Sequence, residues 1–362
     1  MEFRDWLRAQ DVPSEQASFE ELRVWNATLF DAGWAAPAWP SEFGGRDASL
    51  VEQLDYNEAM AGVPRPVNAI GVANIAPAIM TYGTDEQKAR FLRPMLRGDD
   101  IWSQGMSEPE AGSDLASLRC SADRDGDDFV VNGQKTWNSN GHFADWCQLY
   151  VRTDTEAPKH KGITCLLVDM RTPGIAARPI TTMAGDHSFA ELFFTDVRVP
   201  APAMLGALND GWSVATRTLS NERAGVASLY LGMRRKFDRL LTAAGHRDGV
   251  ARDALAARYI EVRNLEFLAK RSIGAALSGR PPGAEGSVIK LAWSQCDQAL
   301  ANTAVDVLGM HALSNAWGTS LLGSRSMTIA GGTTEVNKNI IGERVLGLPR
   351  EPAGSGGKEQ PS

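Results

Sequence analysis

The chain has 362 residues, 43% hydrophobic and 22% charged, a composition that excludes a disordered or fibrous chain and suits two or three folding units of about 150 residues each. Its 37 Lys and Arg against 44 Asp and Glu give a net charge of −7 without blocks of one sign, which argues against nucleic acid as a partner. The charged start MEFRDWLRAQ has no apolar h-region, and no run of about 18 apolar residues follows, so neither secretion nor a membrane span is expected and the expected location is cytoplasmic.

Residues 1–100 read as helical. Leu22, Trp25, Leu29 and Ala32 recur at three and four before Gly33-Trp34 breaks the run. A second helix starts at Thr84, where Thr84 and Gln87 have capping-box spacing; Gly98 is placed to end it, and Pro94 weakens its last turn. From about residue 101 the period changes to two. Phe129–Val131 and Lys135–Trp137 flank Asn132-Gly133, a hairpin-turn signal. Strand candidates follow at 147–152, 163–169 and 191–194, so a middle domain over 101–205 is expected to be an antiparallel sheet pair or small barrel. After Asn209-Asp210-Gly211 helical spacing returns, with room for four or five long helices and a connector at 279–283. Residues 206–350 are therefore expected to form a helical bundle, and the Pro/Gly/Ser-rich 351–362 a disordered tail. The fold class is α+β and multidomain: helical, β, helical.

Cys120, Cys147, Cys165 and Cys296 lack CxxC spacing and suit small buried positions in a reducing compartment. The five histidines never fall at HxxxH or HxH spacing, so no metal site is expected.

One residue breaks its pattern. From Trp212 to Leu241 a single helical stripe runs Trp212, Ala215, Leu219, Glu222, Val226, Leu229, Met233, Phe237 and Leu240. A carboxylate inside an apolar stripe is costly unless it is paired or has a task. Desolvation would raise its pKa and make it a base suited to proton abstraction near neutral pH. An ion pair with Arg217 or Arg223, or an apolar stripe with wider bounds, is the other reading, and periodicity does not choose between them.

Two motifs add chemistry. QGMSEPEAGSD at 104–114 offers hydroxyls and free amides in a glycine-containing turn, which suits a phosphate or the edge of a planar heterocycle, or an ordinary polar loop. KTWNSNG at 135–141 carries Trp137, an indole able to stack on a flat cofactor or to serve the core.

With IAGGTTEVNKNIIGERVLG at 329–347, GWAAPAWPSEFGG at 33–45 and GTDEQK at 83–88, these segments resemble the acyl-CoA dehydrogenase family over about residues 1–350. The resemblance implies an FAD enzyme that desaturates an acyl-CoA thioester: a carboxylate removes the α-proton while a β-hydride leaves for the flavin. It implies flavin contacts from Gln104, Met106, Ser107, Trp137 and Ser139. Ser113 matches a hydroxyl near flavin and thioester, while Thr333 and Glu335 match C-terminal-loop positions that touch the cofactor, Glu335 replacing a more usual Gln.

The departures from the family pattern are informative. The straight-chain enzymes carry their catalytic glutamate just before a Gly-Thr in that loop, where this chain has Gly331; its N–H remains able to donate to the thioester oxygen. Other members carry the base on a helix just before an Arg, and Glu222-Arg223 matches them. The pattern-breaking carboxylate and the family's alternative base thus coincide, with Ser113, Arg223 and Gly331 toward the substrate. The family's Arg-x-x-Phe-Gly segment and Gln-x-x-Gly-Gly turn, both directed to a neighbouring subunit's cofactor, are altered here by Asp238, Asp306 and Met310. A carboxylate facing a pyrophosphate repels it, and a side chain at a close-approach glycine obstructs it.

The expected protein is an FAD-dependent acyl-CoA dehydrogenase working as a homo- or hetero-oligomer, with a second dehydrogenase-like subunit as partner in the latter case and electron-transfer flavoprotein as acceptor. Carrier-protein thioesters as substrate, a non-catalytic partner subunit of a heteromer, and a flavin oxidase or monooxygenase are the rival expectations.

Overall fold

The computed structural model describes residues 2–14, 17–64, 66–224, 228–246, 249–280 and 283–350; the side chains of 220–224 and the expected tail 351–362 lie outside the described residues. The N-terminal helices are α1 (Phe3–Arg8), α2 (Phe19–Asp31), α3 (Leu50–Met60), α4 (Ala76–Tyr82) and α5 (Asp85–Arg97). Capping boxes start α2, α3 and α5, the last with Thr84 and Gln87 as expected. Pro94 sits inside α5 without ending it. Gly98 ends it at φ +85°, and the N–H groups of Gly98 and Asp99 both return to the Pro94 carbonyl. Buried Asn68 donates to the Met95 and Asp100 carbonyls and accepts from Trp102 N–H, which fixes the chain as it enters the sheet.

The strands are β1 (Trp102–Gly105), β2 (Ser121–Asp125), β3 (Asp128–Ser139), β4 (Trp146–Arg152), β5 (Ile163–Asp169), β6 (Ile175–Ile180), β7 (Phe189–Pro200) and β8 (Met204–Leu205). They form one sheet in the order β6-β7-β3-β2-β4-β5-β8, with β1 alongside β4. Most pairings are antiparallel, but β1 and β4 run parallel. The sheet curls on itself: inward residues of β3 and β7 (Phe129, Val131, Leu192, Val197) share one core with those of β4 and β5 (Leu149, Val151, Leu166, Val168). The expected antiparallel sheet pair or small barrel is therefore a single curled sheet whose ends, β6 and β8, do not pair.

The expected hairpin turn at Asn132-Gly133 is not there. Both residues lie within the long strand β3, at a register shift against β7, and the chain turns earlier, at Gly126 (φ +60°) between β2 and β3. The Asn132 amide bonds both the backbone N–H and the carboxylate of Asp196 on β7. Gly133 is required because a Cβ there would lie 2.7 Å from the Cys120 Cα, at φ +144°. Turn-like residues here serve a β-bulge.

The C-terminal helices are α6 (Gly211–Ala224), α7 (Leu229–Ala244), α8 (Gly249–Leu277), α9 (Glu285–Leu308), α10 (Ala316–Met327) and α11 (Thr334–Ile340). The stripe expected along one helix is shared by α6 and α7, with Val226 outside the described residues. Val214 and Ala215 of α6 join a core with α4, α5, β1 and β5, whereas Met233, Phe237 and Leu240 of α7 join the bundle core with α8 and α9. The connector expected at 279–283 falls between α8 and α9, its residues 281–282 outside the description. All four cysteines are buried and unbridged, and burial pushes the Cys147 and Cys296 thiols up to about 12. No helix among the described residues is long and apolar enough to cross a membrane.

Candidate active site

Strand β3 holds the end of β1 and the turn after it by their carbonyls. Asn138 Nδ2 donates to Gln104 O at 2.6 Å, Lys135 Nζ to Met106 O at 3.1 Å, and Thr136 N–H to Ser107 O at 2.9 Å. One residue earlier, Ser103 Oγ donates to Ser139 O at 3.3 Å. The Glu108 carboxylate accepts from Lys135 Nζ at 2.8 Å and from the N–H groups of Arg119 and Cys120 at 2.7 and 2.9 Å. Glu108 and Ala111 exchange both backbone bonds, closing the turn below Gly112 and Ser113. Gln104, Met106, Ser107, Trp137 and Ser139 are thereby brought into one platform, with Ser113 exposed on the same loop.

Trp137 is the anomaly of this platform. It occupies the left-handed region at φ +59°, within a second register shift between Lys135 and Asn138, and its indole is 57% exposed. Phe189 supports it edge-on at 5.8 Å. A bulky residue in that backbone region costs about 1–3 kcal/mol and persists where surroundings impose it, commonly at functional sites. Beside it, Gln104 Nε2 and Asn138 Oδ1 are buried without a hydrogen-bond partner. An open aromatic face, with an orphaned amide donor and acceptor buried in the segments that support it, fits a flat heterocycle such as a flavin ring.

Helix α6 is pinned to the sheet at Thr218, which is fully buried, lies within 3.2 Å of Tyr150 Oη and accepts from Gln148 Nε2 at 3.5 Å. Position 222 comes one turn later, in the last turn of α6. The side chains of Glu222 and Arg223 lie outside the described residues, so the structure places their helix and nothing more. At the C-terminal turn, Gly331 and Gly332 adopt φ +65° and +89°. Lys290 Nζ and Asn337 Nδ2 both donate to the Gly332 carbonyl, at 2.6 and 2.8 Å. The Thr333 hydroxyl caps α11 by accepting from Val336 N–H at 3.2 Å. Glu335 is exposed in the first turn, and its own N–H with the Thr333 hydroxyl holds its carboxyl below the usual range. Among the described residues no hydrogen bond or ion pair joins this turn to the Trp137 platform.

Sequence reading assigned no role to Glu108, Lys135 or Asn138, although all three lie in the quoted motifs. A signal existed for Lys135: the alternation Phe129, Val131, Gly133, Lys135 places it on the inward side of β3.

A curled sheet between helical regions, carrying an exposed indole beside a serine- and glycine-containing turn, defines a three-part α+β protein. Family models for the N-terminal, middle and C-terminal domains of acyl-CoA dehydrogenase match residues 2–99, 103–197 and 209–346. The chain is 39% identical to acyl-CoA dehydrogenase IpdE1 of Mycolicibacterium smegmatis, over 94% of this chain and 91% of that protein. Among solved structures it is similar to the G363A variant of the Tcur3481-Tcur3483 steroid acyl-CoA dehydrogenase (TM-score 0.86, 30% identity, 96% and 98% of the two chains). It is also similar to the ChsE4-ChsE5 complex from Mycobacterium tuberculosis (TM-score 0.83, 32% identity, 96% of each). The chain belongs to the acyl-CoA dehydrogenase family, an oxidoreductase family whose membership implies a flavin.

Proposed function

We propose that this chain desaturates an acyl-CoA thioester between its α and β carbons, with FAD as cofactor. FAD supplies the acceptor for the hydride that leaves the β carbon. Glu222 takes the α-proton, Arg223 lies beside it toward the substrate, and the Gly331 N–H donates to the thioester oxygen so that charge developing there is stabilised. Trp137, Gln104, Met106, Ser107 and Ser139 would hold the flavin ring, Ser113 would supply a hydroxyl near flavin and thioester, and Thr333 and Glu335 would touch the cofactor from the C-terminal turn. The observation that carries this reading is Trp137, a strained and exposed indole that a planar ligand would cover.

The substrate is a branched or ring-bearing acyl group, consistent with the steroid enzyme among the similar structures and with the missing side chain at Gly331. Asp238, Asp306 and Met310 are all exposed. Asp238 borders a hollow of about 230 Å³ that Arg234, Tyr259 and Arg263 also line. Two carboxylates and an exposed methionine in place of an amide and two glycines support a different subunit completing the cofactor site, as in the two-protein ChsE4-ChsE5 complex. Electron-transfer flavoprotein is the acceptor, the cytoplasm the location, and the domains divide near residues 100 and 205.

The experiment is purification of the chain with any polypeptide that accompanies it, followed by anaerobic addition of a steroid-side-chain acyl-CoA. A second dehydrogenase-like polypeptide, bound FAD, loss of the oxidised flavin absorbance and a stoichiometric enoyl product are expected. A yellow homotetramer with one FAD per chain contradicts the partner, and flavin unchanged by CoA thioesters contradicts the reaction.

A further inference from the structure

Lys135 is wholly buried and Glu108 nearly so, at 0% and 9% side-chain exposure, yet neither has a part in the chemistry above. A buried ion pair is weak evidence for stability, because an apolar pair of similar volume often serves as well. What an apolar pair lacks is directional bonding to backbone, and this pair has three such bonds: Lys135 Nζ to Met106 O, and Glu108 to the N–H groups of Arg119 and Cys120. It ties together the turn after β1, the start of β2 and the middle of β3.

We propose that Glu108 and Lys135 are positioning residues for the flavin: they hold β3 in the bulge that turns Trp137 outward and fix the Met106–Ser107 turn beside it. The inference rests on the reading of Trp137 as the flavin-covering residue. The geometry is restrictive. Lys135 is drawn to Met106 O, Thr136 N–H to Ser107 O and Asn138 to Gln104 O. With 135 and 136 fixed on the turn and 138 on the end of β1, Trp137 is the residue that takes up the extra length, and it does so at φ +59°. Close approach on the neighbouring side, where Gly133 meets Cys120, keeps β3 from relaxing away. The strain at Trp137 is thus imposed from beneath by the ion pair.

A double-mutant cycle on the full-length protein, purified with any accompanying subunit and stripped of flavin, tests this through the dissociation constant for added FAD. Trp137→Ala is expected to weaken binding about tenfold, the scale of one lost ring stack. Glu108→Gln/Lys135→Met, which leaves no unpaired buried charge, is expected to weaken it comparably. Combining the two should cost less than about twofold beyond the larger single effect, since both act through one bulge. Val131→Ala, a volume loss on the same strand away from the turn, should lower the melting temperature and leave FAD affinity unchanged.

Full multiplication of the two effects would overturn the proposal, as would wild-type affinity in the folded pair variant. A loss in Val131→Ala equal to that of the pair variant would reduce the pair to general support of the strand and overturn it too. Failure of the pair variant to fold contradicts it as well, by making the pair a requirement of the sheet. If Trp137→Ala alone leaves FAD affinity intact, the reading of Trp137 fails first and this inference falls with it.

Discussion

At the scale of single residues, the candidate site is a place where local preference loses to imposed geometry. Trp137 prefers neither a positive φ nor solvent, and it has both. Replacing it with glycine would relieve about 1–3 kcal/mol of backbone strain, against about 0.5–1 kcal/mol of added chain entropy. The apoprotein of Trp137→Gly is therefore expected to be as stable as the wild type or up to about 2 kcal/mol more stable in urea titrations, with flavin affinity reduced. A less stable apoprotein would mean that the indole serves the fold. The sequence marked Trp137 by motif but not its strain, because the strain depends on what Lys135, Thr136 and Asn138 bind across the sheet. Lys135 was legible as an inward residue by period two; its partner Glu108, 27 positions earlier, was not.

Among the elements, those governed by short-range chemistry matched the sequence. The Thr84/Gln87 capping box and the Gly98 stop follow from residues three apart and from one left-handed glycine. The strand expected at 163–169 is β5. Elements decided by distant partners did not match. Asn132-Gly133 carries turn residues, yet Asp196 bonds the asparagine and Cys120 leaves room only for glycine, so the chain runs straight on through a bulge. The stripe at 212–240 likewise serves two cores on two helices, a division invisible to periodicity. Gly133→Ala tests the bulge directly. An added Cβ 2.7 Å from the Cys120 Cα, at φ +144°, should lower unfolding stability by about 1–3 kcal/mol or more. An unchanged urea midpoint would contradict the close packing of β2 on β3.

Over the whole molecule, the helical–β–helical plan was legible because the change of period from 3.6 to 2 and back is a long-range signal needing no tertiary knowledge. The choice between a sheet pair and a barrel was not, since the curl depends on bulges and on parallel pairing of β1 with β4 across 44 residues. In the proposed function the plan matters because three distant segments serve one ligand: the platform of β1 and β3, helix α6 and the turn at Gly331. Thr218, locked against Tyr150 and Gln148, sets the register of α6 one turn before position 222. The proposed reaction depends on Glu222, and Glu222→Gln tests it most directly. With steroid-side-chain acyl-CoA, the variant is expected to keep its bound FAD and lose desaturation by at least about 10²-fold, the scale of a general base. Turnover equal to the wild type would contradict it.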